Sequence, residues 1–511
     1  MTRPHQTLPA LAVLALLAPV GPAAAEPPSV EAVRAWRVEH GAAVLRDFVE
    51  LLAIPNVASD STDIGRNAQH IVDALTARGV AAELWTVEGA PPVVYGRLDV
   101  EGAERTLGLY VHYDGQPVDA DRWTSPPWEP TLYTAALEEG GAPRPLPEDG
   151  EPIDPEWRLY ARSAGDDKAP IPALLAALDA LSALGARPTS NLVLLFEGEE
   201  EAGSGHLEES IRGHRDELAV DAWIFCDGPV HQSRRPQLVF GVRGYTGLDL
   251  TVYGPTRYLH SGHYGNWAPN PAQRLANLLA SMKDDDGRVL VDGFYDDVVA
   301  PGAAERAALD ALPDFDDELR AELGLAETEM HDAPLAERLL LPSFNVRGLA
   351  SATVGDSARN VIPTEATASI DIRLVKGNDP ARILDRVEDH IRARGYTLVR
   401  EAPDMETRLA HPKIVLSVRH EGYPAARTAM DLEVSRDVIG AARRVAGDDL
   451  VLLPTLGGSL PLYLFTDLLG VPAVIAPIAN HDDNQHAPNE NLRVANLWYG
   501  IDLMASLLTM D

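Results

Sequence analysis

Amphipathic helical stretches alternate with short apolar runs between about residues 30 and 240, and few folds accommodate this alternation. Residues 42–54 and 66–78 have helical periodicity, whereas four runs rich in aliphatic and aromatic residues predict strands. These runs are TLGLYVHYD, RLYARS, NLVLLFEG and DAWIFCD. The alternation predicts an α/β domain with a largely parallel sheet.

The pattern changes near residue 241. GLDLTVYG and ATASIDIRLVKG alternate apolar and polar residues, as half-buried strands do, and helical stretches follow at 270–282 and 380–394. Between them, residues 284–343 are acidic and alanine-rich with scattered prolines, which favours a surface helical insertion. This part of the chain is therefore predicted to form a separate α+β unit.

The α/β pattern returns after about residue 425, with a predicted helix at 433–446 and the buried run VPAVIAPIA. A chain of 511 residues also exceeds the size of one ordinary core. We therefore predict one α/β domain formed by residues 26–240 and 425–511, interrupted by an inserted domain over residues 241–424.

The first residues have the pattern of a signal peptide: a short basic start, an apolar stretch and three alanines that end at Ala25. Cleavage after Ala25 would leave residues 1–25 as the signal and place the mature protein in the periplasm or outside the cell. An uncleaved membrane anchor is the alternative, but Pro19 and Gly21 interrupt a run shorter than the roughly 20 residues of a spanning helix.

Charge and cysteine content exclude some classes of partner and cross-link. The net charge of −34 disfavours binding to nucleic acid or to anionic lipid, so neither nucleic acid nor membrane is expected as a partner. Cys226 is the only cysteine, so the chain has no internal disulfide. Its place in the run AWIFCD predicts a buried, inert thiol.

Acidic and imidazole side chains follow several predicted strands. In open α/β sheets, ligands bind outside the carboxyl ends of the strands. Each such residue alone is more often a cap or a surface residue, but five strand ends together indicate a divalent metal site. The mixture of nitrogen and oxygen donors favours Zn²⁺, with Mn²⁺ or Co²⁺ as alternatives. The residues are His112, Asp114, Asp166, Asp167, Glu199, Glu200, Glu201, Asp227, His481, Asp482, Asp483 and His486.

The motifs around these residues resemble the two-metal M20 peptidases, which include glutamate carboxypeptidase, succinyl-diaminopimelate desuccinylase, aminoacylase and the carnosinase-like dipeptidases. The motifs occur in the family's order from about residue 40 to the C-terminus: HYDGQP, ARSAGDDKAP, EGEEEAGSG, FCDG, YLHSGHYGN, SIDIRLV, LGGSLP and HAPNE. The resemblance implies a zinc-exopeptidase-like catalytic domain, an inserted lid and dimerisation domain, two metal ions and a homodimer.

Carried over by motif, the resemblance implies that His112 and Asp227 bind one metal ion, that Glu201 and His486 bind the other, and that Asp166 bridges both. His481 lies close to His486 along the chain, but only His486 precedes APNE.

The resemblance also implies roles beside the metal ligands. Asp114 would orient His112, and Glu200 would be the general base that takes a proton from a water between the metals. Asp167 would bind its surroundings rather than metal, and Lys168 would neutralise part of the acidic pair. Glu199 is expected to be solvated or to lie just outside the ligands.

The inserted domain contributes substrate contacts by the same resemblance. His260 would stabilise the oxyanion, often in the partner subunit's active site, and His263 is the expected decoy. Arg373 and Asn360 would hold the substrate's free carboxylate, with Gly458 and Ser459 adding donors. Ordinary structural alternatives exist: His260 could be a structural histidine, Arg373 could form a surface ion pair, and Asn360 and Ser459 could be turn residues.

The expected function is hydrolysis of the amide bond next to a C-terminal amino acid in a dipeptide or short peptide. An N-acyl-amino-acid deacylase of the same mechanism is the main alternative. The carnosinase pattern has a further histidine before the GGS turn, whereas HEGYPAARTAMD offers only His420. A non-catalytic metal- or peptide-binding protein is disfavoured because Glu200 is present, and a serine hydrolase because the G-x-S-x-G elbow is incomplete.

Overall fold

The computed structural model describes residues 27–330 and 333–510. The predicted signal peptide lies outside the described residues. Within them, no helix is both long enough and apolar enough to cross a bilayer.

Helices and strands alternate through the first part of the chain, as the sequence predicts. They are α1 (Val30–Leu52), α2 (Ser61–Thr76), β1 (Ala81–Trp85), β2 (Val93–Leu98), β3 (Thr106–His112), β4 (Thr131–Tyr133), β5 (Pro143–Arg144), β6 (Arg158–Tyr160), α3 (Pro170–Ala183), β7 (Asn191–Glu197), α4 (Leu207–Gly213), β8 (Ala222–Phe225), β9 (Gln237–Val239) and β10 (Gly241–Val242).

Longer antiparallel strands and short helices follow, and the last part returns to alternating elements. The middle elements are β11 (Gly244–Tyr253), β12 (Leu259–His260), α5 (Ser261–Tyr264), α6 (Pro271–Ala280), α7 (Ala303–Asp310), α8 (Asp316–Glu322), α9 (Leu335–Arg338), β13 (Ser343–Ala350), β14 (Val361–Ile362), β15 (Glu365–Leu374), α10 (Pro380–Ala393), β16 (Thr397–Val399), α11 (Met405–Ala410) and β17 (Ile414–Tyr423). The last elements are β18 (Ala426–Arg427), α12 (Glu433–Ala446), β19 (Val451–Leu453), a π helix (Leu464–Leu469), β20 (Ala473–Ile475), β21 (Asn491–Arg493) and α13 (Val494–Leu508).

The largest sheet has the order β1-β2-β7-β3-β8-β20-β9-β19, and its four central strands run parallel. Helices α1, α2, α3, α12 and α13 pack on one face, and α4 and the π helix pack on the other. Because both faces are covered, the central strands are apolar on both sides. The predicted α/β class with a mostly parallel sheet is confirmed.

One predicted strand belongs to a different sheet. The run RLYARS forms β6, which lies in the small sheet β21-β6-β4-β5, where every pairing is antiparallel. Leu159 and Leu492 still bury their side chains in the main core. The expectation that this run joins the parallel sheet is therefore wrong, because three apolar residues satisfy the same pattern in either sheet.

The inserted part forms a sheet of order β13-β15-β11-β17-β16, with α6 and α10 packed on one face over an apolar core. Residues 244–423 include every strand of this sheet, which we call the lid sheet. Val289 and Phe294 are buried in its core, so the segment 284–343 is not only a surface insertion as predicted. The predicted domain boundaries at 241 and 424 stay predictions.

A buried carboxylate joins α10 to the lid sheet. The Glu388 side chain is fully buried and accepts hydrogen bonds from Arg400, Arg419 and Ser417. Burial alone would raise the pKa of Glu388, but these donors lower it from 4.5 to about 2. Because the folded pKa is lower, the stabilisation is present above pH 4.5 and is lost as the pH falls towards about 2.

We therefore expect Glu388→Gln to lower the free energy of unfolding at pH 7 by about 1–3 kcal/mol. Urea titrations at pH 7 and at pH 3 measure this, and the difference from the unsubstituted chain should shrink at pH 3. Asp389→Asn is the matched control on the same helix, because that carboxylate is 74% exposed. An equal loss of unfolding free energy at pH 7 and at pH 3 would contradict the role of the ionised carboxylate.

Candidate active site

Parallel pairing brings the polar strand ends to one edge of the large sheet. Strand β3 pairs in parallel with both β7 and β8, so His112, Glu197 and the residues after Phe225 lie at the same edge. Asp227 lies two residues after the end of β8. The loop between β20 and β21 brings His486 to this edge, and the loop after β6 brings Asp166.

The five predicted metal ligands lie together in two groups that share Asp166. In the described part of the chain, donor atoms of His112, Asp166 and Asp227 lie within 4.8 Å of one another, as do those of Asp166, Glu201 and His486. Asp166 Oδ1 is 3.0 Å from His112 Nε2, and its Oδ2 is 3.0 Å from His486 Nε2. One carboxylate oxygen therefore faces each group, which is the arrangement of a bridging ligand.

Asp114 is buried and holds two parts of the site. Its Oδ1 lies 3.3 Å from His112 Nδ1, which directs Nε2 of the same ring towards Asp166. The backbone N–H groups of Glu200 and Glu201 donate to its two oxygens at 3.1 Å each. Asp114 therefore positions the imidazole, as predicted, and also fixes the turn that carries the two glutamates.

The glutamate run leaves the strand before Glu200. Residues 200–202 form a 3₁₀ turn, and Gly203 and Ser204 follow with φ of +94° and +53°. Adjacent side chains in a strand point to opposite faces, but this turn permits Glu200 and Glu201 to serve one site.

Glu199 has a structural role that the sequence does not show. Its side chain is almost fully buried, accepts a hydrogen bond from the His206 backbone N–H and lies 3.0 Å from His206 Nδ1. Of the two positions expected for Glu199, the solvated one is therefore wrong, and a position outside both ligand groups is the one observed. Its carboxylate closes the loop from Glu200 to His206, because His206 at the far end of the loop binds it through both its backbone N–H and its ring.

The buried carboxylates outnumber the cationic groups at this edge. Burial raises the pKa of Asp227 to about 7 and also raises the pKa of Glu200. Burial opposes protonation of His112, yet the carboxylates around it hold its pKa well above the ordinary value. Asp227 Oδ2 is buried and has no hydrogen-bond partner among the described residues. These oxygen and nitrogen donors therefore fit divalent cations, which would satisfy that atom and offset the repulsion.

His486 and the residue before it complete the second group. His486 has a φ of +58°, in the left-handed region that few non-glycine residues adopt. Asp166 and Glu201 raise its pKa to about 10. Gln485 donates to Asp166 Oδ2 at 2.9 Å, and Gln116 donates to Glu201 Oε2 at 2.8 Å. Sequence reasoning missed both glutamines, although Gln116 lies in the motif HYDGQP.

Glu490 is a third functional residue that the sequence reasoning missed. It is fully buried and accepts hydrogen bonds from the backbone N–H groups of Ser163, Gly165 and Asp166 and from Arg162. It therefore fixes the loop that carries Asp166. Its place in the motif HAPNE is the signal that could have indicated it.

Asp167 and Lys168 do not act together. Asp167 is buried and belongs to neither ligand group, as predicted. The Lys168 ammonium donates to the carbonyl groups of Leu51 and Ile54 at 3.0 Å each, at the end of α1. The expectation that Lys168 neutralises the acidic pair is therefore wrong, because the fold directs its side chain to α1.

Three of the predicted substrate-binding residues come together. Arg373 Nη1 donates to Ser459 Oγ at 3.1 Å, and Ser459 Oγ donates to the carbonyl of Arg243 at 2.8 Å. The Arg243 N–H donates to the Gly458 carbonyl. The LGGSLP turn of the catalytic domain therefore contacts β15 of the lid sheet at Arg373.

His260 and Asn360 lie together elsewhere on the inserted domain. Both are exposed, and the Asn360 carbonyl accepts from the N–H of the residue after His260. His260 Nδ1 accepts from the Gly262 N–H, and its ring lies 4.7 Å from that of His263. Neither belongs to the two ligand groups, and His481 and His263 also lie outside them.

Residues 108–510 match the family described as Peptidase family M20/M25/M40. The chain belongs to this peptidase family. It is therefore a metallopeptidase, as the motifs implied. It is 29% identical over 490 residues to the Cys-Gly metallodipeptidase DUG1 of Candida albicans, covering 90% of this chain and 94% of that protein. It is 27% identical over 427 residues to the Beta-Ala-His dipeptidase of Homo sapiens, covering 81% and 76%.

Solved structures share the architecture. The M20 family metallo-carboxypeptidase Sso-CP2 of Sulfolobus solfataricus superposes with a TM-score of 0.71 at 28% identity, covering 91% of this chain and 98% of that one. Dug1p of Saccharomyces cerevisiae superposes with a TM-score of 0.68 at 24% identity, covering 94% and 98%. The second likeness concerns the fold alone.

Proposed function

We propose that this metallopeptidase hydrolyses dipeptides or short peptides at the amide bond next to the C-terminal amino acid. The observation that carries the proposal is Asp166, whose two oxygens face two separate groups of ligands beside Glu200. The relatives named as Cys-Gly and Beta-Ala-His dipeptidases support a dipeptide substrate. Two divalent ions, with Zn²⁺ preferred by the donor set, are part of the proposal.

Each group of residues has a distinct task in this mechanism. When bound, divalent ions supply Lewis acidity, which makes water more acidic and the amide carbonyl more electrophilic. Glu200 accepts the proton of the attacking water and then delivers it to the leaving amine. Asp114 keeps Glu200 in place through a hydrogen bond to its backbone N–H, and it orients His112 through the 3.3 Å contact between Oδ1 and Nδ1. His260 donates to the oxyanion.

The carboxylate of the substrate would bind the cluster of Arg373, Ser459 and Gly458, and Asn360, which lies beside His260, would add a contact together with it from the second subunit. We expect Arg373→Ala to raise KM for a dipeptide by about 10–100-fold, because one charged hydrogen-bonded pair is lost. Steady-state kinetics measure this, with Arg382→Ala as the control because that side chain is 53% exposed on α10. A C-terminally amidated dipeptide lacks the free carboxylate, so Arg373→Ala and Arg382→Ala should both hydrolyse it slowly and at equal rates. An unchanged KM for the free-acid substrate would contradict the assignment.

The N-acyl-amino-acid deacylase remains the second candidate, because it cleaves an amide beside a free carboxylate with the same residues. Turnover of a dipeptide panel and of N-acetyl amino acids, measured before and after chelation, separates the two. Metal analysis of the same preparation tests both the number and the identity of the ions. Hydrolysis that survives complete removal of metal would overturn the proposed function.

We also propose that the chain forms a homodimer in which His260 acts in the partner's site. The exposure of His260 and Asn360 supports this, as does the edge strand β13, which exposes Leu349. Mixing Glu200→Gln with His260→Ala subunits should then restore about a quarter of full activity, since half of random dimers contain one complete site. Monomers in light scattering, or no recovery, would contradict it.

Export after cleavage at Ala25 is proposed as well. Mass spectrometry of protein recovered from the periplasm or the medium should find Glu26 as the first residue. Intact Met1 in that fraction would contradict cleavage.

A further inference from the structure

Arg373 is the first member of a row of side chains on the open face of the lid sheet. Tyr245 on β11 pairs directly with Arg373 on β15 and with Tyr423 on β17. The Arg373 guanidinium carbon lies 5.5 Å from the centre of the Tyr245 ring, and the Tyr245 and Tyr423 rings are 6.2 Å apart. Directly opposed residues share one face of a sheet, so the three side chains lie side by side.

The catalytic domain extends this row with a fourth side chain. Tyr463 stacks on Tyr423 with ring centres 5.5 Å apart and planes inclined by 10°. It lies four residues after Ser459, which contacts Arg373. Phe465 packs against Tyr110 in the core and anchors this segment. The row therefore runs from Arg373 through Tyr245 and Tyr423 and ends at Tyr463 of the catalytic domain.

The tyrosine rings retain accessible surface and lie close to the reaction site. All three side chains are only half-buried. Two residues after Tyr463, Phe465 packs against Tyr110, whose hydroxyl donates to Glu197 Oε2 at 2.5 Å. Glu197 is the last residue of β7, at the sheet edge that carries the metal ligands. These contacts link the segment that carries Tyr463 to that edge of the sheet.

We propose that Tyr245, Tyr423 and Tyr463 form the subsite for the side chain of the substrate's C-terminal residue, and that this side chain is aromatic. The inference rests on the proposed function, since it takes Arg373 as the anchor of the substrate carboxylate. In an amino acid the carboxylate and the side chain are bonded to the same α-carbon. When Arg373 holds the carboxylate, the side chain therefore lies beside the adjacent tyrosine rings. Flat aromatic groups gain most from ring contacts, through apolar area and through offset or edge contacts.

The experiment compares kcat/KM for Gly-Phe, Gly-Ala and Gly-Lys in the metal-loaded protein and in three variants. The variants are Tyr463→Ala, Tyr463→Phe and the control Tyr258→Ala, whose ring is 58% exposed on the lid. We expect the unsubstituted protein to prefer Gly-Phe over Gly-Ala by about tenfold or more. Tyr463→Ala should remove most of this preference by raising KM for Gly-Phe alone, whereas Tyr463→Phe and Tyr258→Ala should keep it.

A binding measurement makes the result independent of turnover. Calorimetry with free L-phenylalanine and L-alanine should show tighter binding of phenylalanine, and Tyr463→Ala should weaken that binding by about tenfold. If Tyr463→Ala does not fold, as judged by thermal unfolding, Tyr245→Ala takes its place and should weaken phenylalanine binding in the same way.

The outcomes separate this inference from the proposed function. Equal rates for Gly-Phe and Gly-Ala, or a preference for Gly-Lys, would overturn the subsite while leaving dipeptide hydrolysis intact. An equal loss of kcat for all three substrates in Tyr463→Ala would also overturn it, because it would mean that the stacked tyrosines only hold the lid. Failure to hydrolyse any dipeptide would instead reject the proposed function.

Discussion

Replacing Glu200 with glutamine is expected to lower kcat for dipeptide hydrolysis by about 10²–10⁴-fold, because the amide cannot accept the proton of the attacking water. The substitution keeps the shape of the side chain, and the backbone N–H of residue 200 can still donate to Asp114. Glu200 also lies outside both ligand groups. Bound metal and KM should therefore change little.

Steady-state kinetics and metal analysis of the same preparation measure both expectations. Glu208→Gln is the matched control, because that glutamate lies on α4 and pairs with Arg212 at the surface. Unchanged hydrolysis in Glu200→Gln would remove Glu200 from the mechanism. A parallel loss of metal would instead reassign Glu200 as a ligand.

The second large effect is expected for Asp166→Asn. Its carboxylate presents one oxygen to His112 and the other to His486, and an amide has only one oxygen. The N–H₂ group would face one of the two cation positions. We therefore expect the variant to lose at least one bound ion and to retain less than about one hundredth of the activity, a larger loss than that typical of residues behind the ligands.

Metal content by mass spectrometry and kcat/KM at saturating metal test this expectation. Asp482→Asn is the control, since Asp482 pairs with Arg158 beside the site and belongs to neither ligand group. Full metal occupancy with full activity in Asp166→Asn would contradict a bridging role. If excess metal restores activity in Asp166→Asn, the substitution has reduced only the affinity for the metal ions.

Much of the fold and the site was predictable because the relevant patterns are local. Strands β3, β7 and β8 consist mainly of apolar residues, which predicts their burial, and each is followed by a carboxylate two residues after its end. The helix predicted at 433–446 has those bounds in α12. In the lid strands β11 and β15, apolar and polar residues alternate, which predicts one buried and one exposed face.

Apart from Glu199, whose partner His206 is seven residues away, the errors in side-chain contacts and strand pairing concern partners that lie far away along the chain. Lys168 binds carbonyl groups at the end of α1, more than 100 residues earlier. Glu490 binds the loop of Asp166, more than 300 residues away. The strand β6 pairs with β21 rather than with the large sheet. No local sequence pattern shows which distant partner a side chain or a strand will have, because the same residues are compatible with several partners.

By itself, the sequence determined the kinds of donor at each strand end, the α/β class and the motifs of an M20 metallopeptidase. Periodicity and short motifs determine these features because they act within a few residues. Only the tertiary structure decided that Asp166 faces two ligand groups and that Arg373, Tyr245, Tyr423 and Tyr463 form one row. Strand register and loop packing join segments that are hundreds of residues apart, and those long-range contacts exist only in the folded chain.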